Sequence, residues 1–422
     1  MNKFLKLFTI TMTIVGLIFV TGCKKDDDTE TIYDSFDIQT VMSLDAGEDG
    51  NAEIVRVVPD NDNEAVFVSS AINRLTVIEY TQDAFSFART YDLNPGSATA
   101  EMTSIDVSKK INGENYVGVC VAEADCGLGS VLLVKLSDGT IVKRVEFTKS
   151  YNPDGMAFTK DGNYLVVACE DDLEDRPCKP ADRMGGRVAI IDLRNGPANA
   201  TILQEYPIDW DAESEPEHCE TDADGNVVMS VQETSQVVIF NVNDVPMPED
   251  DSKLTIVEMP EAEGQKAEPD GLFISPDGKY AVISNERSGS FQMIELPSGN
   301  PLGTPTVVKH DFSAPPYNND ARKATKQTEP EEASLVERDG HLYAIFAMQE
   351  AHGVIVYDVT DPANPVFDSI AEAGIDWAND VSMEKSDIGS EGLGAHPTNG
   401  VIFSANEREG SITMFTAAWG RE

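Results

Sequence analysis

"EPDGLFISPDGKYAVISNE" occupies Glu268–Glu286 and combines an acid, a short apolar run, an Asp-Gly step and a longer alternating run that ends on another acid. The same pattern returns as "NPDGMAFTKDGNYLVVACE" (Asn152–Glu170), "EPEHCETDADGNVVMSVQE" (Glu215–Glu233), "EPEEASLVERDGHLYAIFAMQE" (Glu329–Glu350) and "GSEGLGAHPTNGVIFSANE" (Gly389–Glu407). Looser copies are "NAEIVRVVPDNDNEAVFVSS" (Asn51–Ser70) and "TAEMTSIDVSKKINGENYVGVCVAE" (Thr99–Glu123). Aligned on the leading acid, the seven anchors are Glu53, Glu101, Asp154, Glu217, Asp270, Glu331 and Glu391, spaced 48 to 63 residues apart. A repeat of this period is one supersecondary unit that must stack on its neighbours to bury its faces.

Each unit reads as a strand, a turn, a second strand, a loop and a third strand. Asp161-Gly162, Asp224-Gly225, Asp277-Gly278, Asp339-Gly340 and Asn399-Gly400 stand where a tight hairpin needs positive φ. A fourth strand such as "TIVKRVEF" (Thr140–Phe147) completes the unit. Four antiparallel strands at this period predict an all-β chain, a seven-bladed β-propeller. The last copy stops after its third strand, and "DIQTVMSL" (Asp37–Leu44) stands unpaired before the first. It is expected to supply the missing outer strand and close the ring, with the propeller spanning 37–422.

Lys3 and Lys6 precede an apolar run from Leu7 to Val20, and Val20-Thr21-Gly22-Cys23 follows. This ending resembles a bacterial lipobox, which implies a signal peptide over 1–22 and lipidation of Cys23. Residues 23–36, opening Lys24-Lys25-Asp26-Asp27-Asp28, then read as an acidic tether. The expected location is the outer membrane or cell surface, with membrane contact through the N-terminal lipid only. A net charge of −43 excludes nucleic acid and anionic membranes as partners. Hydrophobic residues make up 41% of the chain and fall in alternating runs, which separates it from acidic disordered sequence. In an oxidising compartment the spacings Cys120/Cys126 and Cys169/Cys178 permit local disulfides, leaving Cys219 over.

In a propeller the start of the innermost strand and the loop after the second strand share one rim. The anchors occupy the first place, and Glu170, Glu233, Glu286, Glu350 and Glu407 the second, with Glu123 a looser sixth member. The separation is 16 residues in Asp154/Glu170, Glu217/Glu233, Asp270/Glu286 and Glu391/Glu407. Two carboxylates about 6 Å apart repel by roughly 3 kcal/mol at an effective dielectric near 20. Such a ring must share protons, find donors or hold a cation. Hard oxygen ligands suit Ca²⁺, and Glu217, Asp270, Glu331 and Glu391 are its candidate ligands. The competing role is structural, with each acid accepting backbone N–H groups from the next blade.

Arg287 and Arg408 follow the closing acids of their copies, and Arg322, Lys323 and Lys326 lie in a long loop expected on the same rim. These cations, with Trp210 and Trp377 of two Ile-Asp-Trp steps, are candidate ligand contacts; ion pairing and packing between blades are their ordinary uses. His218 beside Glu217 reads as a hydrogen-bonded core residue. No Gly-x-Ser-x-Gly elbow or His-Glu-x-x-His signature is present, so no catalytic residue is identified.

"SDIGSEGLGAHPTNGVIFSANEREGSITMF" (Ser386–Phe415), together with the copies beginning at Glu215 and His341, resembles the choice-of-anchor I family, and more loosely YncE-like and lactonase-like propellers. The resemblance implies an extracellular propeller and carries no catalytic residue. The expected function is a lipid-anchored binding module, loaded with calcium and taking a protein, glycan or small anionic ligand as a monomer. The alternative is a metal-dependent hydrolase of the phosphoesterase or lactonase type, working at the carboxylate-lined mouth.

Overall fold

The computed structural model describes residues 35–46, 52–70, 72–97, 100–123, 127–170, 185–208, 214–248, 250–308, 328–351, 353–375 and 388–421. Cys23, Trp210, Trp377, Arg322, Lys323 and Lys326 lie outside them.

Seven antiparallel sheets follow one another along the chain. Their innermost strands are Ala52–Val57, the split pair Ala100–Glu101 and Ile105–Val107, Pro153–Phe158, Pro216–Thr221, Pro269–Ile274, Pro330–Arg338 and Ser390–Ala395. These define blades one to seven of a β-propeller. The second strands are apolar almost throughout; Tyr280–Asn285 is buried at every position but its first. Blades stack face to face, so a middle strand is covered on both sides and loses the alternation of a half-exposed sheet.

The seventh sheet runs Gln39–Asp45, Ser411–Thr416, Val401–Asn406, Ser390–Ala395, so the first described strand pairs with the last. Phe36, which the sequence places in the tether, is fully buried. Its ring packs edge-on against Trp419 at 4.7 Å and Tyr343 at 5.2 Å. The folded body therefore begins inside the segment read as a leash.

In all five hairpins the glycine has positive φ, between 71° and 84°, but only Asp339 among the preceding residues joins it. The other turns are held differently. Asp161 Oδ1 accepts from Asn163 N at 3.0 Å and Asp277 Oδ1 from Lys279 N at 3.1 Å, so the carboxylate closes the turn and spares its own backbone the strain.

The register of every inner strand except that of blade two slips at its anchor, between Ala52/Val55, Pro153/Gly155, Pro216/Cys219, Pro269/Leu272, Pro330/Ala333 and Ser390/Gly392. A bulge places an extra residue and re-aims the side chains beside it. Consecutive residues Glu217/His218 and Glu331/Glu332 accordingly line the same channel cavity. The residue after the anchor is glycine in blades three, five and seven, where the next blade presses close. A Cβ on Gly155 would stand 2.1 Å from Glu217 O, one on Gly271 2.1 Å from Glu331 O, and one on Gly392 2.4 Å from Glu53 O.

Each local disulfide allowed by sequence has one cysteine outside the described residues. Cys120, Cys169 and Cys219 are buried free thiols, and Cys126 and Cys178 lie outside the described residues. Cys120 and Cys169 sit on second strands and pack into the apolar core between blades, among Leu165, Ala189 and Met156.

Candidate functional site: a two-tiered central channel

The upper tier is the acidic mouth. Asp154, Glu217, Asp270, Glu331 and Glu391 line a cavity of about 190 Å³. In Glu53, Glu391 and Glu407, one carboxylate oxygen from each lies within 4.8 Å of the others, and Asp270, Glu286 and Glu331 form a second such triad. Each triad joins two anchors of adjacent blades with one acid that closes a second strand. Glu101, the anchor of blade two, is exposed and belongs to neither triad.

Burial and the charge of neighbouring acids raise Glu53, Glu217, Asp270, Glu331 and Glu391 above the ordinary carboxylate range. Burial, then the charge of Glu407, pushes Glu53 up to about 8, against the opposing hydrogen bond from Ser70. Asp270 rises to about 7, chiefly through burial. Glu217, Glu331 and Glu391 are raised well above their ordinary values, each by burial first. Beyond burial, the close neighbours that raise them are Glu170 and Asp154 for Glu217, Asp270 for Glu331, and Glu53 and Glu407 for Glu391. Glu391 Oε2 is buried and accepts no hydrogen bond.

The sequence candidates divide. Glu217, Asp270, Glu331 and Glu391 all reach the mouth. The two arginines are committed to the wall. Arg287 Nη1 donates to Glu268 Oε1 at 2.8 Å, and Arg408 donates to Glu350 Oε1 at 2.8 Å and Gln349 Oε1 at 2.6 Å. Of the closing acids, Glu286 accepts from Gln232 of blade four at 2.8 Å and Glu123 from Ser97 at 2.6 Å. At the turn of the first hairpin, Glu64 accepts from Arg89 and Asn61, and Asp62 faces His396 at 3.4 Å.

A lower tier, unread in the sequence, lies further along the same inner strands and encloses about 160 Å³. Arg56 of blade one donates to Glu332 Oε2 of blade six at 2.7 Å and to Leu393 O of blade seven at 3.0 Å. Glu332 Oε1 stands 3.7 Å from His218 Nε2, and both residues line the two cavities. Lys160 donates to Glu220 at 2.7 Å. Burial, followed by the charge of Glu220, pushes Asp106 up to about 6. The only signal in the sequence was a charged residue set within an apolar inner strand, as Arg56 is in "IVRVV".

Among solved structures the chain is similar to a streptogramin B lyase, at 11% identity and TM-score 0.59, covering 91% of this chain and 98% of that one. It is similar also to virginiamycin B lyase from Staphylococcus aureus, at 13% identity, TM-score 0.58 and coverage of 89% and 98%. The hydrazine synthase of Kuenenia stuttgartiensis matches at 13% identity and TM-score 0.58, over 93% and 99%. At these identities the likeness is one of fold. No curated protein sequence matches significantly. The family model described as the choice-of-anchor I domain matches residues 53–286, more than half of the 422-residue chain. The chain is a member of the choice-of-anchor I family.

Proposed function

We propose that this protein is a lipid-tethered, extracytoplasmic binding module whose channel mouth holds Ca²⁺ and presents it to a protein, glycan or small anionic ligand at the rim. The observation that carries the reading is the pair of triads, Glu53/Glu391/Glu407 and Asp270/Glu286/Glu331, each with three carboxylate oxygens within 4.8 Å. The buried Glu391 Oε2, without a hydrogen-bond partner, supports the fit, since a cation would satisfy it. All six groups are carboxylates, the donor set that a hard divalent ion takes and zinc rarely does. Binding has to displace the protons held within the mouth, which ties affinity to pH. A hydrolase finds less support here, because Arg287 and Arg408, which would steady an anionic substrate, are spent on Glu268 and Glu350.

Thermal unfolding of the full chain in chelator, then with millimolar Ca²⁺, tests the proposal. An ion held only by the folded state stabilises it by RT ln(1 + [L]/Kd), about 2.7 kcal/mol at a hundredfold excess over Kd. The expected result is a reversible rise in Tm that Glu391→Gln or Asp270→Asn reduces. An unchanged Tm would overturn the calcium site and leave the acids as structural groups.

A further inference from the structure

The lower chamber has a chemistry of its own. Its two bases, the half-buried Arg56 and the exposed Lys160, are already paired, Arg56 with Glu332 and Lys160 with Glu220. Asp106 is a third acid. Its Oδ2 accepts from Phe158 N at 2.7 Å, and among the described residues no base lies within ion-pair distance. Lys109 stands at the exposed lip and makes no ion pair with it. His218 is 8% exposed, and among the described residues its ring nitrogens make no hydrogen bond, Glu332 Oε1 being 3.7 Å away. The rest of the wall is largely apolar, with Phe158, Phe273 and Leu393.

These features choose among ligands. A small anion finds few donors, since Arg56 is engaged by Glu332, Val55 O and Leu393 O and Lys160 by Glu220. A divalent ion finds no group of three closely set ligand atoms here among the described residues. A primary ammonium group finds the Asp106 carboxylate and, beside it in the same wall, the buried His218 ring, whose nitrogens make no hydrogen bond among the described residues. The phenyl faces of Phe158 and Phe273 suit both a cation and the apolar body attached to it.

We infer that the lower chamber is a binding site for a small primary ammonium compound with a short apolar body, held by Asp106 and His218 between Phe158, Phe273 and Leu393. The site is separate from the calcium mouth, from which the Arg56–Glu332–His218 tier divides it.

Calorimetric titration of the full chain with n-butylammonium chloride, with ammonium chloride and sodium butyrate as controls, tests the assignment. Saturable binding is expected for n-butylammonium, with both controls weaker by about tenfold or more, since neither combines the charge with the apolar body. Asp106→Asn should weaken n-butylammonium by about tenfold or more. Ala395→Met, which fills the chamber without altering charge, should abolish binding and keeps the test decisive if the Asn variant does not fold. Saturating Ca²⁺ should leave the titration in place. Butyrate binding as tightly, equal affinity for plain ammonium, displacement by Ca²⁺, or full binding by Ala395→Met would each overturn the inference.

Discussion

Arg408 of blade seven reaches back to Glu350 of blade six, Nη1 to Oε1 2.8 Å, and the Glu350 side chain is completely buried. The residue that sequence offers as a ligand contact thus ties two blades at the rim. Removing one partner of a buried pair strands the other's charge. Arg408→Ala should lower stability by about 3 kcal/mol in urea denaturation. A loss well below about 1 kcal/mol would show that the pair contributes little.

The mouth should make stability fall as pH rises. Glu53 is held at about 8 against an ordinary 4.5, and Asp270 at about 7 against 3.8, so the folded state binds protons that the unfolded chain releases. Their stabilising contribution is complete below the ordinary values and disappears as pH climbs through 7 and 8. Glu407, Asp154 and Glu101 face Glu53 as charges, with Ser70 as its donor. In chelator, Tm should drop between pH 5.5 and 8.5. Glu53→Gln, which mimics the protonated acid, should be the more stable protein at pH 8.5 by at least about 1 kcal/mol. A wild-type Tm that climbs with pH would contradict the assignment.

Calcium binding should expel protons. Glu331, Asp270 and Glu391 are raised above the ordinary carboxylate range, and a bound cation takes them as carboxylates. Titrating Ca²⁺ in two buffers of different ionisation heat should reveal release of about one proton per ion, with affinity rising from pH 6 to 8. Binding with no proton release would place the ion away from these acids.

The glycine after the anchor should resist a single methyl group. In Gly155→Ala the new carbon would meet Glu217 O at 2.1 Å and His218 Cα at 2.7 Å, both backbone. The expected loss is about 3 kcal/mol at an unchanged m-value, read from the denaturation midpoint. Gly264→Ala, whose Cβ meets nothing within 4 Å, controls for the chain-stiffness effect at an exposed turn, although its φ of 80° brings some strain of its own.

The ring, its turns and its acidic mouth are legible in the sequence because each is copied: a period, a Gly and an acid recur at fixed places. The lower tier is not copied. Arg56, His218 and Glu332 come from blades one, four and six and meet only because the ring closes. No spacing rule links them. His218 illustrates the difference, since neighbouring residues suggest a satisfied core histidine, and only the bulge at Glu217 turns its ring into the channel. The arginines mislead for a related reason: an Arg after a rim acid looks available until its partner in the wall, Glu268 or Glu350, is known.

The small glycines couple blade three to four, five to six and seven to one. Seven is odd, so couples cannot tile the ring, and blade two is the remainder. Its post-anchor position holds Met102, wholly buried, where a couple would have glycine on one side. There the inner strand breaks into Ala100–Glu101 and Ile105–Val107, and there the anchor Glu101 stands exposed and joins neither triad. A ring of six or eight such blades could alternate without a flaw. In seven, parity alone demands one irregular blade, and its anchor stands exposed where the acids of other blades gather in threes, so the mouth differs from one side to the other.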